Sequence, residues 1–218
     1  MKIAIIGAGN VGKALGSSFA RVGNHVIYAT RNAGDTDSAA RATGASAATS
    51  PAEAARAADI VILAVPYVSA AREVAEAIAP EVKGKIVIDA TNPLKADGSG
   101  LATEGGLSGA ENIASWMPGA RVVKAFNTLF ASVQADPATH GVTLDALYAT
   151  DDDRACVEVS ELLSSIGFRP VYVGPLARAH ELEAIANLNI HLQIETKGDW
   201  RTSINFVGAP EASTTLPK

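Results

Sequence analysis

Apolar and polar positions change period repeatedly along this chain. Ile3, Ala4, Ile5 and Ile6 form an apolar run too short for a helix, the pattern of a strand buried on both faces of a parallel sheet. Over about residues 10–22 the spacing turns helical, with Val11, Ala14, Leu15, Phe19 and Val22 on one face and Gly23 as the stop. A second apolar run begins at Val26 and ends in Thr30 and Arg31. The alternation continues with a short helix near residues 35–43 ended by Gly44, and a small-residue strand over 45–49. Ser50-Pro51-Ala52-Glu53 reads as a helix start, with Ser as cap, Pro at the first position and Glu reaching back. The spacing then predicts a strand over 59–66 stopped by Pro66, and a helix marked by Val68, Ala71, Val74, Ala75 and Ile78 that ends near Pro80. Further strands run from 85 to an exit at Asn92-Pro93, and over 121–127.

From Leu144 the chain adds an apolar stretch to Thr150, three aspartates, a helix through Ile166, and the segment 169–175. Asp151, Asp152 and Asp153 precede that helix, where carboxylates satisfy free N–H groups, so they read as a cap and not as a metal site. The last helix, about 177–195, is ambiguous because residues 187–194 alternate like a strand. As a helix it has Leu188 and Leu192 on one stripe and Ile190 and Ile194 roughly opposite, so two faces call for burial, one on the sheet and one on a second subunit. Its polar stripes, Asn187 with His191 and Asn189 with Gln193, are candidate pocket linings. Lys197-Gly198 ends it, residues 202–207 suggest a short strand, and a disordered tail is expected from Glu211.

Strands alternating with helices predict an α/β fold, a doubly wound parallel sheet of the Rossmann type with a small C-terminal helical extension. Residues 1–175 form the expected nucleotide-binding domain, and 176–218 a helix and tail closing an acceptor cleft. In such sheets ligands sit beyond the carboxyl ends of the strands. That directs attention to Val65-Pro66, to Thr91-Asn92-Pro93 and to residues 124–128.

The first turn carries the clearest chemistry. Gly7-Ala8-Gly9-Asn10-Val11-Gly12 follows a strand and opens a helix, the context the GxGxxG fingerprint requires. Gly7 permits the tight turn, Gly9 the approach of a pyrophosphate, and Gly12 close helix packing. Where NAD sites place an acid for the ribose 2′-hydroxyl, this chain has Thr30 and Arg31, a hydroxyl and a cation suited to a 2′-phosphate. NADP is expected over NAD. Mixed use stays open, because Asp35 and Asp37 follow with no second cation.

Composition narrows the field. The chain has 218 residues, 48% hydrophobic but 5% aromatic, so the core is built of Ala, Val, Ile and Leu. A formal charge of −5 offers no footprint for nucleic acid or an anionic membrane. Cys156 is the single cysteine, which excludes an internal disulfide, and it reads as a packed residue. No apolar run approaches a membrane span and no signal peptide is apparent, so a soluble cytoplasmic protein is expected. No Ser-His-Asp spacing, Tyr-x-x-x-Lys pair or metal-ligand cluster is present, which suits direct hydride transfer between rings. Lys124, Asn92, Asn127 and His191 are the polar groups to test, with structural roles as the alternative. The loop 97–106, rich in glycine, is a candidate lid or an ordinary surface loop, and Ser108 with Glu111 forms a second capping box.

Over about residues 1–195 the chain resembles the NADPH-dependent deazaflavin (coenzyme F420) reductase family. Its relatives include the NADPH domains of six-span epithelial metalloreductases and, more distantly, pyrroline-5-carboxylate reductases. The resemblance rests on residues 7–12, 29–31, 63–66, 89–94 and 124–128, and continues through 167–170 and 174–178. It implies NADPH held by Ala8 to Val11, Thr30 and Arg31, with the nicotinamide beside Val65 and Ala131. The acceptor, F420 or a flavin, would stack on it in a cleft closed by the C-terminal helix and by a dimer partner. Two departures are Asn127, where archaeal members often have histidine, and the lack of a lysine soon after Arg31. An imine or ferric-chelate reductase on the same scaffold, or a non-catalytic NADPH-binding sensor, are the alternative readings.

Overall fold

The computed structural model of the chain describes residues 1–103 and 106–208. Strands β1 (Lys2–Ile6), β2 (His25–Ala29), β3 (Ser46–Ala47), β4 (Ile60–Leu63), β5 (Ile86–Asp89), β6 (Arg121–Ala125), β7 (Asp145–Thr150) and β8 (Arg169–Tyr172) form one sheet, in the order β3-β2-β1-β4-β5-β6-β7-β8. The first six positions reproduce the doubly wound order, and every pair from β3 to β6 is parallel. β7 runs antiparallel to β6, and β8 is parallel to β7, so the last two strands reverse the sheet. The apolar runs behave as expected of doubly covered strands. Ile3 and Ile5 enter one core, with Leu15 and Phe19, while Ala4 and Ile6 enter the other, with Ala54, Ala55 and Val74.

Eight α-helices are described: α1 (Asn10–Arg21), α2 (Ala33–Thr43), α3 (Pro51–Ala57), α4 (Arg72–Ile78), α5 (Gly109–Trp116), α6 (Ala131–Ala135), α7 (Asp153–Ser165) and α8 (Ala179–Thr196). A π-helical turn, Tyr67–Ala71, leads into α4. The caps follow the sequence: Ser50 accepts from Glu53 N–H, Ser108 and Glu111 close a full capping box, and Asp152 accepts from Ala155 N–H. Asp151 is used differently, its carboxylate accepting from Leu176 N–H at 2.9 Å to fasten the entry to α8. Cys156 is buried against the Tyr148 hydroxyl, 3.3 Å away. Burial pushes the Tyr148 phenol well above its usual range.

Three elements differ from expectation. Residues 202–206 form no strand; they are held by side chains, with Asn205 Oδ1 accepting from Asp145 N–H and Asp145 Oδ2 from Phe206 N–H. The segment 94–101 is a small hairpin closed by a Leu94–Leu101 bridge and by Lys95 N–H to Gly100 O, where an irregular loop was expected. The rest of that glycine-rich loop, at Glu104 and Gly105, and the tail expected from Glu211 lie outside the described residues. In α8 the polarity is inverted. Ala179, Leu182, Glu183, Ala186, Asn189 and Gln193 form the buried face, while Leu188, Leu192 and Ile194 are exposed. The two amides can turn inward because the segment after the helix supplies partners: Thr202 meets Asn189 Oδ1 at 2.5 Å and Gln193 Nε2 at 2.9 Å.

Candidate active site

At the carboxyl end of β1, Gly7 has φ +120°, and a Cβ there would lie 2.2 Å from the Ala64 carbonyl oxygen. Gly12 must also lack a side chain, since its Cβ would fall 2.1 Å from Gly7 O. Gly9 is different: a Cβ on it would meet nothing within 4 Å. It is the N-cap of α1 but offers no side-chain cap, and the first turn of the helix carries no acid. The N–H groups at this end are thus left for an anion, with the helix dipole favouring it.

These glycines open on a cavity of about 450 Å³ whose lining includes Gly7, Ala8, Gly9, Thr30, Arg31, Asp35, Val65 and Pro66. Thr30 is the hinge of its rim. Its hydroxyl donates to Asn32 O at 2.6 Å, and its N–H is bound by the Thr36 hydroxyl. The Arg31 guanidinium is exposed and lies 3.5 Å from Glu73, also exposed. Such a solvated pair holds weakly, which leaves the guanidinium available to an anion. The residues present therefore fit a dinucleotide with a 2′-phosphate, with Glu73 and Asp35 as the opposing charges.

A second cavity, about 340 Å³, starts at Val11 and lies beyond the exits of β5 and β6. Asn92, Leu94, Asn127, Thr128, Ala131, Ala186, Asn189 and Trp200 are among its lining residues. Its floor is held by an exchange between two strand exits: Asn92 Nδ2 donates to Asn127 O at 3.0 Å, and Asn127 Nδ2 donates to Asn92 Oδ1 and to Leu182 O. Asn127 is placed by a strained neighbour. Phe126 has φ +66°, a left-handed backbone rare in a bulky residue, and Gln134 Nε2 clamps its carbonyl at 3.1 Å. Asn127 Oδ1 is buried and has no hydrogen-bond partner among the described residues. A buried acceptor of this kind calls for a donor from outside the chain.

Of the expected site residues, the structure gathers Gly7, Ala8, Gly9, Thr30, Arg31, Val65 and Pro66 on the first cavity, and Val11, Asn92, Asn127 and Ala131 on the second. Val65 and Ala131 thus line different cavities. Asn10 opens α1 and lines a further hollow beside Val11. Pro93 is buried behind the site, packed towards Gly109. From α8, Ala186, Asn189 and Ile190 reach the second cavity; His191, half-buried, is not part of that lining.

Lys124 is not at the surface of either cavity. It is fully buried, with Nζ 2.8 Å from Asp89, 3.0 Å from Glu183 and 2.7 Å from Thr91 O. Burial pulls its pKa down, but the two carboxylates outweigh burial and hold it above the usual lysine range. Glu183 in turn accepts from Gly109 and Ala110 N–H at the start of α5. Lys124 is therefore a positioning residue, tying β5, β6, α5 and α8 together beneath the second cavity. Sequence reasoning missed Glu183, whose buried role is set by partners distant in the chain, and it missed Trp200. Among the described residues, no group of three His, Cys, Asp or Glu side chains is placed to hold a metal, and no helix is long and apolar enough to cross a membrane.

Comparison with known proteins gives a consistent result. Residues 2–93 match the family model described as NADP oxidoreductase, coenzyme F420-dependent. The F420-dependent NADP reductase of Methanothermobacter thermautotrophicus is 34% identical over 216 residues, covering 90% of this chain and 91% of that protein. The metalloreductase STEAP3 of Rattus norvegicus is 32% identical over 192 residues, 84% of this chain but 36% of that protein. A crystal structure described as an F420-dependent NADP reductase, from Arthrobacter sp. FB24, superposes with a TM-score of 0.83 at 27% identity, covering 92% of this chain and 96% of that one.

Proposed function

The chain belongs to the family of coenzyme F420-dependent NADP oxidoreductases, and on that premise we propose that it passes hydride between NADPH and F420 or a flavin-like ring. The observation that carries the reading is the pair of cavities at the strand ends: one lined by the glycine turn and Arg31, the other, starting two residues beyond Gly9, lined in part by Phe130 and Trp200. NADPH supplies the hydride when bound. Ala8, Gly9, Asn10 and Val11 meet its pyrophosphate with backbone N–H groups, and Thr30 and Arg31 meet the 2′-phosphate. Val65 and Pro66 wall the nucleotide cavity, with Val65 towards the nicotinamide. Asn92 and Ala131 frame the nicotinamide side, with Pro93 buried behind them, and Asn127 Oδ1 accepts from an amide or ring N–H there. Residues 1–175 hold the nucleotide, and the part from 176 onward closes the acceptor side through α8.

Ring-to-ring hydride transfer asks the protein to align two rings and exclude water, not to supply an acid or base. That suits a second cavity lined by amides, Thr128, aliphatic groups and two aromatic rings, with Lys124 already committed to two carboxylates. The reading includes a cytoplasmic homodimer, in which a second copy covers Leu188 and Leu192 on α8.

The test follows NADPH absorbance on mixing the protein with F420, FMN or a cyclic imine. F420 is expected to drain the signal fastest. Tight NADPH binding with no acceptor draining it would replace this reading with that of a sensor. In the same assay Arg31→Ala is expected to weaken NADPH more than NADH, by about 1.5–3 kcal/mol for a lost charge-assisted contact.

A further inference from the structure

Beyond α8 the chain turns back across the mouth of the second cavity, and Trp200 sits at the crossing. Its backbone is left-handed, φ +60°, a conformation a bulky side chain adopts only when its surroundings impose it. Three contacts do so. Trp200 N–H donates to Gln193 Oε1 at 2.8 Å, Ser132 Oγ donates to Trp200 O, and the ring stands edge-on to Phe130 with centroids 5.2 Å apart. The turn closes so tightly that a Cβ on Gly198 would lie 2.2 Å from Gln193 Oε1. The next residue is tied down as well, with Arg201 O bound to His140 at 2.6 Å and its guanidinium to Thr139.

All these contacts still leave Trp200 43% exposed. A tryptophan fixed for packing alone would be driven under cover, since its burial is what stabilises a fold. This one lines both the second cavity and an adjoining hollow of about 700 Å³ lined by Asn10, Lys13 and Ser17. In the second cavity Phe130 and Trp200 are the aromatic lining residues, the others being amides, Thr128 and aliphatic side chains.

We propose that Trp200, braced by Phe130, is the platform on which the acceptor ring rests, and that it selects fused flat rings over small imines. This rests on the hydride-transfer reading above and names the residue that sets its acceptor specificity. An aromatic face offers a fused ring an extended contact that a small imine is too short to use.

The experiment compares the full chain with Trp200→Ala and Trp200→Phe in steady-state NADPH oxidation by F420. Trp200→Ala is expected to raise the KM for F420 about ten-fold, the size of one lost aromatic contact, while kcat and the KM for NADPH stay within about two-fold. Trp200→Phe should recover most of the loss, which a merely structural role would not predict. A second readout uses the Trp116→Phe background, where Trp200 is the sole tryptophan. Oxidised F420 added with NADP⁺ is expected to quench its emission. If the parent turns over F420 but Trp200→Ala keeps its KM, or the emission does not change, the platform is overturned. If the parent does not turn over F420 at all, the functional reading fails, and the platform with it.

Discussion

Gly7 and Gly9 are two residues apart, and a side chain would offend different things at each. At Gly7 the obstacle is the protein itself, both the positive φ and the Ala64 carbonyl. Gly7→Ala is expected to cost more than about 2 kcal/mol of stability, as strained special positions do. At Gly9 the fold presents no obstacle. Gly9→Ala should lose less than about 1 kcal/mol, the scale of an N-cap change, yet weaken NADPH about ten-fold by filling the space a pyrophosphate needs. Thermal melts paired with NADPH titrations would show it; a variant that melts normally and binds normally would remove the nucleotide from this turn. Phe126 belongs to the same scale. Its strain was not legible in the sequence, because nothing in Ala125-Phe126-Asn127 announces a left-handed residue. It is held by Leu129 N–H and by Gln134, eight positions on, both donating to its carbonyl.

Among the elements, α8 depends most on its surroundings. Its inner face is pinned through Glu183, which joins Lys124 and the start of α5. Lys124→Met would leave Asp89 and Glu183 buried without their cation, a loss expected near 3–5 kcal/mol and measurable as a lower urea midpoint. An unchanged midpoint would show that the cluster contributes nothing. The pH dependence has a definite sign. The folded-state pKa of Lys124 is raised, so its contribution is complete below the unfolded value of roughly 10.4 and is lost only as pH climbs through the folded value. The parent should keep this stabilisation throughout the neutral range. Glu111 works at the other end. Burial alone would raise its pKa, but hydrogen bonds from Ser108 and the nearby His180 outweigh it and leave the value lowered. Its share is therefore present above the ordinary glutamate range and lost as acid titrates through the folded value.

For the whole molecule, the outward face of α8 raises the question of assembly. Leu188 is 67% exposed and Leu192 49%, one helical turn apart on the same stripe. On the proposed homodimer reading, the leucine side of this helix is the face a second copy would cover. Leu188→Glu combined with Leu192→Glu is expected to convert a dimer to a monomer in light scattering, leaving NADPH binding intact. A parent that is already monomeric at working concentration would refute the dimer. The reversed pair β7 and β8 matters at this scale too, since it widens the sheet beside β6 and gives α8 a surface, Leu147 and Ala149, on which Leu182 packs.

What the sequence determined by itself was everything carried by local spacing. The doubly covered strands, the glycine turn, the Ser50, Ser108 and Asp152 caps and the basic end of β2 were all legible, because each depends on residues within a few positions of one another. Tertiary structure decided the rest. It turned Asn189 and Gln193 inward, committed Lys124 to two buried carboxylates, kept residues 202–206 out of the sheet and set Trp200 at the cavity mouth. Each of those outcomes follows from partners far away in the chain, whose hydrogen bonds and charges outweigh the local preference for burying apolar and exposing polar groups.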